Sequence, residues 1–154
     1  MARSEFAFHH RFRVRWSETD AQGVVFNARY LDYADVAVTE YWRAAKFRDY
    51  ADGAPLEFHV KKATVTWFAP IKPDELIDVM ARTVATGRTS MTQVVEIHGI
   101  TDDGSDDLRA TVDLVSVHVD LDTHRPIPLP HWVKDVFLNF DQQAATPAVA
   151  MADA

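Results

Sequence analysis

The stretch NARYLDYADVAVTEYWRAAKF, residues 27–47, decides the fold of this 154-residue chain. Apolar side chains recur at helical spacing on one side of it, and polar side chains fall mostly on the other. The apolar side consists of Tyr30, Ala34, Ala37, Val38, Tyr41 and Ala45. Leu31, Val36 and Trp42 widen this apolar zone, and neither Gly nor Pro interrupts it. We therefore predict one long helix with a broad buried face and with Asn27 as its N-cap.

Five strand-like segments surround the predicted helix, one before it and four after it. They are rich in β-branched, aromatic or alternating apolar residues, and turn residues separate them; they span residues 6–16, 59–68, 76–85, 90–100 and 108–121. Four consecutive strands with short connections predict an antiparallel meander. The long helix must then cover one face of the sheet. The predicted class is α+β, a five-stranded antiparallel sheet wrapped around one long central helix.

The chain has the length of one domain, which we place at residues 1–140. A short amphipathic helix is predicted over residues 131–140, and the Ala-rich tail of residues 141–154 is predicted to be disordered.

Composition excludes several classes of function. The chain contains no cysteine, which rules out disulfides, thiolate zinc sites and cysteine nucleophiles. Its net charge of −7 argues against a nucleic-acid-binding face, which needs clustered Lys and Arg. The first residues show no signal-peptide pattern, and no apolar run approaches the length of a membrane span. We therefore expect a soluble, cytoplasmic protein without membrane insertion. The seven histidines show no metal-ligand spacing, so no metal site is predicted.

The segment between the first strand and the helix, residues 16–23, carries two carboxylates, Glu18 and Asp20, next to Gly23. A helix N-terminus presents free N–H groups and partial positive charge, which suit a developing oxyanion. A carboxylate beside it can serve as a general base or as a nucleophile. Spacing alone also allows a second interpretation, in which both acids are ordinary turn and capping residues.

The run RWSETDAQGVVFNARYLDY, residues 15–33, resembles the signature of the 4-hydroxybenzoyl-CoA thioesterase family. Within that family it is most similar to the branch that contains the thioesterase of the bacterial Tol-Pal system. Similar segments recur at residues 58–70, 74–76, 86–91 and 117–120, so the resemblance covers about residues 10–138. It implies the hotdog fold and hydrolysis of acyl-CoA thioesters to a carboxylic acid and free CoA. Water and one activated carboxylate suffice for this reaction, so no metal or redox cofactor is expected. The strand run after residue 59 leaves sheet edges to be paired, which predicts a homodimer, assembled further into a homotetramer. The resemblance adds that its sites form between protomers.

The resemblance also assigns roles to individual residues. Asp20 matches the catalytic carboxylate, whether nucleophile or general base, and Gly23 lets the loop turn close to the thioester. The backbone amides near Asn27 and Ala28 match the oxyanion site. Substrate contacts are expected from Tyr30 in the helix and from Arg88, Thr89 and Ser90, the segment that meets the CoA phosphates.

Two positions depart from the family pattern. The first acid of the motif is Glu18 rather than Asp, and Asn27 stands where the close branch often carries His. These departures are the only sequence support for one alternative, a non-catalytic module that binds acyl-CoA. A second alternative, on the same fold, is a thioesterase that acts on acyl carrier protein.

Overall fold

In the computed structural model, which describes residues 1–54 and 56–145, a five-stranded antiparallel sheet packs around a long helix. This confirms the predicted α+β class. The strands are β1 Phe8–Arg13, β2 Glu57–Trp67, β3 Leu76–Thr86, β4 Ser90–Gly99 and β5 Leu108–Val119. The α-helices are α1 Arg29–Ala44, α2 Phe47–Ala51 and α3 His131–Ala145.

The strand order is β1-β3-β4-β5-β2, and each neighbouring pair is antiparallel. The predicted meander is right for β3, β4 and β5 but wrong for β2, which pairs with β5 at the far edge. The place beside β3 is taken by β1. Residues 68–75 carry the chain back across the sheet, and they contain Pro70, Pro73 and the fully buried Ile71. Proline cannot donate to a strand ladder, so this segment connects strands rather than extending one.

The helix α1 packs on the sheet through a mixture of small and aromatic residues. Ala34 and Ala37 let the helix approach closely, and Tyr33 and Tyr41 fill the space beside them; all four are buried. The predicted helix end at Phe47 is wrong, because Lys46 takes a left-handed conformation with φ 56°. A right-handed helix cannot continue through such a residue, so α1 ends at Ala44.

The helix α3 closes one end of the core and is longer than predicted. The predicted domain boundary at Phe140 falls inside it, because Asp141 is buried and anchors the next turn. The Asp141 carboxylate oxygen Oδ2 accepts hydrogen bonds from the Tyr41 hydroxyl at 2.9 Å and from the Thr83 amide at 3.0 Å. Residues 141–145 are therefore helical rather than disordered, and the rest of the predicted tail, residues 146–154, lies outside the described residues.

Asp141→Asn is expected to gain stability relative to the wild type as the pH rises. Burial raises the pKa of Asp141, so the folded protein holds this proton more tightly than the unfolded chain does. The resulting stabilisation is complete below the ordinary pKa of Asp, about 3.9, and is lost as the pH rises through the folded-state pKa. Asn does not titrate, so the difference in unfolding free energy should shift toward the variant between acid and neutral pH.

Urea unfolding of both proteins across this pH range is the measurement. Asp135→Asn, on the exposed side of α3, is the matched control, because it removes a carboxylate that is not buried. A difference for Asp141→Asn that stays constant with pH, or that moves toward the wild type, would contradict this account.

Candidate active site

The loop between β1 and α1 folds into a tight hairpin that fixes Asp20. Thr19 and Val25 form an antiparallel bridge, and inside it the Asp20 amide donates to the Val24 carbonyl at 2.9 Å. The Gly23 amide donates back to the Asp20 carbonyl at 3.0 Å. This turn needs Gly23, whose φ of +73° is strained for any residue with a Cβ. Buried Val25 anchors the hairpin, because its amide donates to the Ile71 carbonyl at 2.8 Å.

The two oxygens of the half-buried Asp20 carboxylate have different surroundings. Oδ1 accepts a hydrogen bond from the Gln22 amide at 2.8 Å, which orients the side chain. Oδ2 accepts none from the described residues. One oxygen is thus held by the loop while the other can meet a water molecule or a carbonyl carbon. This arrangement suits either a general base or a nucleophile.

Glu18, the other acid of the motif, is engaged by the loop itself. Its Oε1 accepts from the Arg15 amide at 2.7 Å, and its backbone carbonyl accepts from the Phe26 amide at 2.9 Å. Its charge also faces the buried Tyr33 of α1: burial first, and then Glu18, raise the pKa of the Tyr33 hydroxyl. These contacts give Glu18 a structural part in joining the two ends of the loop.

The start of α1 lies where this loop returns. The helix begins at Arg29 with Ala28 as its N-cap and no side-chain cap, so the prediction of Asn27 as N-cap is wrong. The reason is that Asn27 and Ala28 form a turn, closed by the bond from the Arg29 amide to the Phe26 carbonyl at 2.9 Å. The amides of Asn27 and Ala28 have no acceptor within residues 1–54 and 56–145, and both residues are exposed. They are therefore free to donate to a ligand.

Tyr30, the predicted substrate contact in the helix, is buried beneath the first turn of α1. Its ring meets Trp67 of β2 edge to face, with ring centroids 6.0 Å apart, and burial raises its pKa. In a single chain this side chain belongs to the core, and its role toward substrate stays a prediction.

Arg88, Thr89 and Ser90 lie in the β3–β4 turn, at the end of the sheet opposite the Asp20 hairpin. The hairpin adjoins the Leu76 end of β3, because the Val14 amide donates to the Glu75 carbonyl at 2.9 Å. The ten residue steps of β3 separate the two places by roughly 33 Å at 3.3 Å per residue. The fold therefore does not bring these predicted substrate contacts to the predicted catalytic carboxylate within one chain.

A groove of about 800 Å³ runs between the open side of α1 and the strands β2 and β5. Leu31, Val38 and Trp42 of α1 line it with Phe58 of β2, and Asp35 adds one carboxylate. The residues that line this groove come from distant parts of the chain, and no single motif marks it. The sequence feature that points to the groove is the apolar zone on α1, which is wider than one sheet face can cover. Leu31 and Trp42, which widen this zone, line the groove.

Neither a metal cluster nor a membrane-spanning helix is found in the part of the chain that the structure describes. No three His, Asp or Glu side chains of this part are grouped so that they could hold an ion. No helix of this part has the length and apolar character needed to cross a bilayer. The predicted independence from a metal cofactor stays a prediction.

The chain is similar in sequence to a known protein family and to two bacterial enzymes. Residues 14–137 match a family described as the thioesterase-like superfamily. The acyl-CoA thioesterase YbgC of Haemophilus influenzae is 32% identical over 135 residues, which cover 81% of this chain and 90% of that protein. The acyl-CoA thioester hydrolase YbgC of Escherichia coli is 34% identical over 80 residues, 51% of this chain. This second match spans 60% of the length of the Escherichia coli protein.

A solved structure with a similar fold is a thioesterase of Thermus thermophilus in complex with coenzyme A and Zn. It has a TM-score of 0.73 and 26% sequence identity, and the match covers 89% of this chain and 96% of that one.

Proposed function

The chain belongs to the thioesterase-like superfamily, and from this premise we propose that it hydrolyses acyl-CoA thioesters to a carboxylic acid and free CoA. The observation that carries the proposal is the hairpin of residues 19–25. It presents the open Oδ2 of Asp20 on the same loop as the free amides of Asn27 and Ala28. A base or nucleophile and a pair of oxyanion donors are the two components that acyl transfer needs.

The chemistry requires only water and these groups. The amides of Asn27 and Ala28 stabilise the negative charge that develops on the thioester oxygen. Asp20 either takes a proton from the attacking water or attacks the carbonyl carbon itself, in which case water cleaves the resulting anhydride. In both routes the carbon–sulfur bond breaks, the sulfur leaves as the thiol of CoA after protonation, and the acyl group leaves as a carboxylate. We propose that no metal or redox cofactor takes part.

We further propose that the active enzyme is a homodimer paired through β2, assembled further into a homotetramer. β2 is an edge strand whose residues are largely exposed, and Val60 in its first half is 61% exposed. Such an open edge readily accepts another strand. Two-fold antiparallel pairing sets the Trp67 end of one β2 against the Glu57 end of the other. Asp20 of one protomer then comes toward the partner's Arg88, which a single chain keeps far away.

The groove beside α1 is the proposed place for the acyl group. It lies against β2, so in the paired dimer it opens to both protomers. Its lining by Leu31, Trp42 and Phe58 suits an apolar acyl chain or ring. The Asp35 carboxylate can accept a hydrogen bond from a polar group on the acyl part.

The experiment that tests the function is the release of free thiol from a panel of aromatic, short-chain and long-chain acyl-CoAs. Acyl groups carried on acyl carrier protein are assayed in parallel. We expect the wild-type enzyme to hydrolyse at least one acyl-CoA faster than it hydrolyses any of the acyl-carrier-protein substrates. Turnover restricted to acyl carrier protein would replace the proposal with the carrier-protein thioesterase. Tight binding of acyl-CoA without any turnover would replace it with a binding module.

Arg88→Ala is expected to raise KM several-fold with little change in kcat. Arg88 is exposed in the β3–β4 turn, where a long cation can reach a phosphate of CoA. A contact remote from the reacting carbon is felt equally in the ground state and the transition state, so its loss appears in KM. Steady-state kinetics with an acyl-CoA decide the matter. A large fall in kcat at constant KM would contradict the assignment, and so would unchanged kinetics.

A further inference from the structure

The crossover segment, residues 68–75 between β2 and β3, carries the hairpin that presents Asp20. Its Ile71 is fully buried, and the Ile71 carbonyl accepts the hydrogen bond from the Val25 amide that anchors the hairpin. The crossover segment forms neither helix nor strand. The place of Asp20 therefore depends on what holds this segment to the sheet.

Arg109, the second residue of β5, holds the crossover segment with both its backbone and its side chain. Its carbonyl accepts hydrogen bonds from the amides of Phe68 at 2.8 Å and Ala69 at 3.2 Å. Its guanidinium Nη1 donates to the Pro70 carbonyl at 2.8 Å, and Nη2 donates to Oε1 of Glu75 at 2.7 Å. One residue thus fixes the segment at its beginning and at its end.

The end of the crossover segment also holds the strand that leads into the hairpin. The Glu75 carbonyl accepts from the Val14 amide at 2.9 Å, and the Asp74 amide donates to the Val14 carbonyl at 3.2 Å. Val14 directly follows β1. The loop that contains the hairpin is therefore held on both sides, at Val14 and at Val25, by the same segment.

The Arg109 guanidinium is itself fixed in place. Nε and Nη2 donate to Oδ2 of Asp107 at 3.1 and 2.7 Å, and the Arg109 side chain is only 16% exposed. Gly99 of β4 leaves the room for this pair, because a Cβ at that position would collide with the guanidinium and with the Asp107 carboxylate. A guanidinium held in this way has fixed donor directions, so it determines the position of the groups it binds, which a lysine ammonium does not.

The ion pair of Arg109 and Glu75 also lies near the start of α1. Burial raises the pKa of Tyr30, and the next influences on it are the charges of Arg109, which lowers it, and Glu75, which raises it. Tyr30 is in the first turn of α1, directly after the segment whose free amides belong to Asn27 and Ala28. The ion pair is therefore near both parts of the proposed site, the crossover segment that holds the hairpin and the helix start.

We propose that Arg109 is a positioning residue for thioester hydrolysis, which sets the place of the Asp20 carboxylate relative to the amides of Asn27 and Ala28. The inference rests on the proposed function and extends it to a residue that acts through the crossover segment rather than on the substrate. A shift of about 1 Å in a reacting group can lower a rate roughly 10²-fold. Loss of the guanidinium is therefore expected to act on the chemical step more than on binding.

Arg109→Met is expected to lower kcat roughly 10–100-fold and to leave KM for an acyl-CoA within about twofold of the wild type. Arg109→Lys keeps the charge but not the fork, so its kcat should stay low, and it serves as the milder variant if Arg109→Met does not fold. Gly99→Ala displaces the guanidinium without removing it, and its kcat should fall as well. Val136→Ala is the matched control, because it weakens the core beside α3, at the end of the sheet opposite the hairpin; its kcat should stay near that of the wild type.

Hydrogen–deuterium exchange of the amides in residues 19–26 reports the anchoring of the hairpin without any turnover. In Arg109→Met these amides should exchange roughly tenfold faster or more, because local opening of the hairpin costs less. In Val136→Ala they should exchange as in the wild type.

Unchanged exchange in Arg109→Met would overturn the proposal, and so would fast exchange with wild-type kcat. A rise in KM at constant kcat would also overturn it, because Arg109 would then act in binding. An equal fall of kcat in Val136→Ala would reduce the effect to a loss of stability and would overturn it as well. If the wild type hydrolyses no acyl-CoA but the exchange of Arg109→Met is faster, Arg109 still fixes the hairpin and only the proposed function fails.

Discussion

Asp20→Asn is expected to lower kcat by roughly 10²–10⁴-fold, the contribution of a positioned general base. If Asp20 is a nucleophile, the loss should be at least as large, because the covalent route disappears. Folding should survive the change. The asparagine side-chain oxygen can still accept the hydrogen bond that Asp20 Oδ1 receives from the Gln22 amide. The backbone hydrogen bonds that join Asp20 to Val24 and Gly23, one donated by the Asp20 amide and one accepted by its carbonyl, do not involve the side chain at all. The cost in unfolding free energy should stay within about 1 kcal/mol, as for a lost cap.

Glu18→Gln is the matched control for this prediction. It makes the same chemical change two residues away, at a side chain whose Oε1 is already held by the Arg15 amide. Its effect on kcat should be clearly smaller than that of Asp20→Asn. Steady-state hydrolysis beside thermal melting of both variants is the measurement. Wild-type kcat in Asp20→Asn, or a more damaging Glu18→Gln, would mean that the catalytic acid has been misassigned.

Much of the fold could be predicted from periodicity, since each element carries its own signal. The helix in residues 27–47 and the strands in residues 57–119 are found close to their predicted places. The position of β2 could not be predicted in this way. Alternation of apolar residues identifies a strand but not its neighbour, and the choice between β3 and β5 depends on where β1 pairs. The end of α1 was predicted wrongly for a different reason. The left-handed conformation of Lys46 does not change the pattern of apolar residues.

In the candidate site, too, the sequence could predict which neighbouring residues act together, but not which distant residues come close in the fold. Asp20, Gly23 and Asn27 are close in sequence, and one hairpin keeps them close in space. Arg88 is remote both in sequence and in the single chain, so its proposed role depends on a second protomer. His59 and His124 are far apart in sequence, and no spacing predicts that their rings meet. Only the pairing of β2 with β5, together with the tight loop after β5, brings their rings together.

Val60→Glu is expected to dissociate the proposed dimer. Because the proposed site needs both protomers, kcat/KM should fall roughly 100-fold or more at micromolar protein. Val60 lies on the free edge strand β2 and also on the groove, and in one chain its side chain is 61% exposed. Within the chain the change should therefore cost little. In the dimer both protomers would bury a carboxylate at the shared seam, and an unpaired buried charge costs about 3–5 kcal/mol. The dissociation constant should therefore rise by roughly 10²–10³-fold or more.

Val84→Glu separates this effect from a general effect of a new surface charge. Val84 is 46% exposed on β3, beyond the last residue that pairs with β1, and it does not lie on the β2 edge. Sedimentation velocity should show a dimer or larger assembly for the wild type and for Val84→Glu, and a monomer for Val60→Glu. Because association follows mass action, the activity of Val60→Glu should recover in part as its concentration is raised. Direct damage to the groove would instead leave a stable dimer whose low activity is independent of concentration. A fully active Val60→Glu monomer would show that one chain holds a complete site, and the proposed approach of Asp20 to the partner's Arg88 would then be wrong.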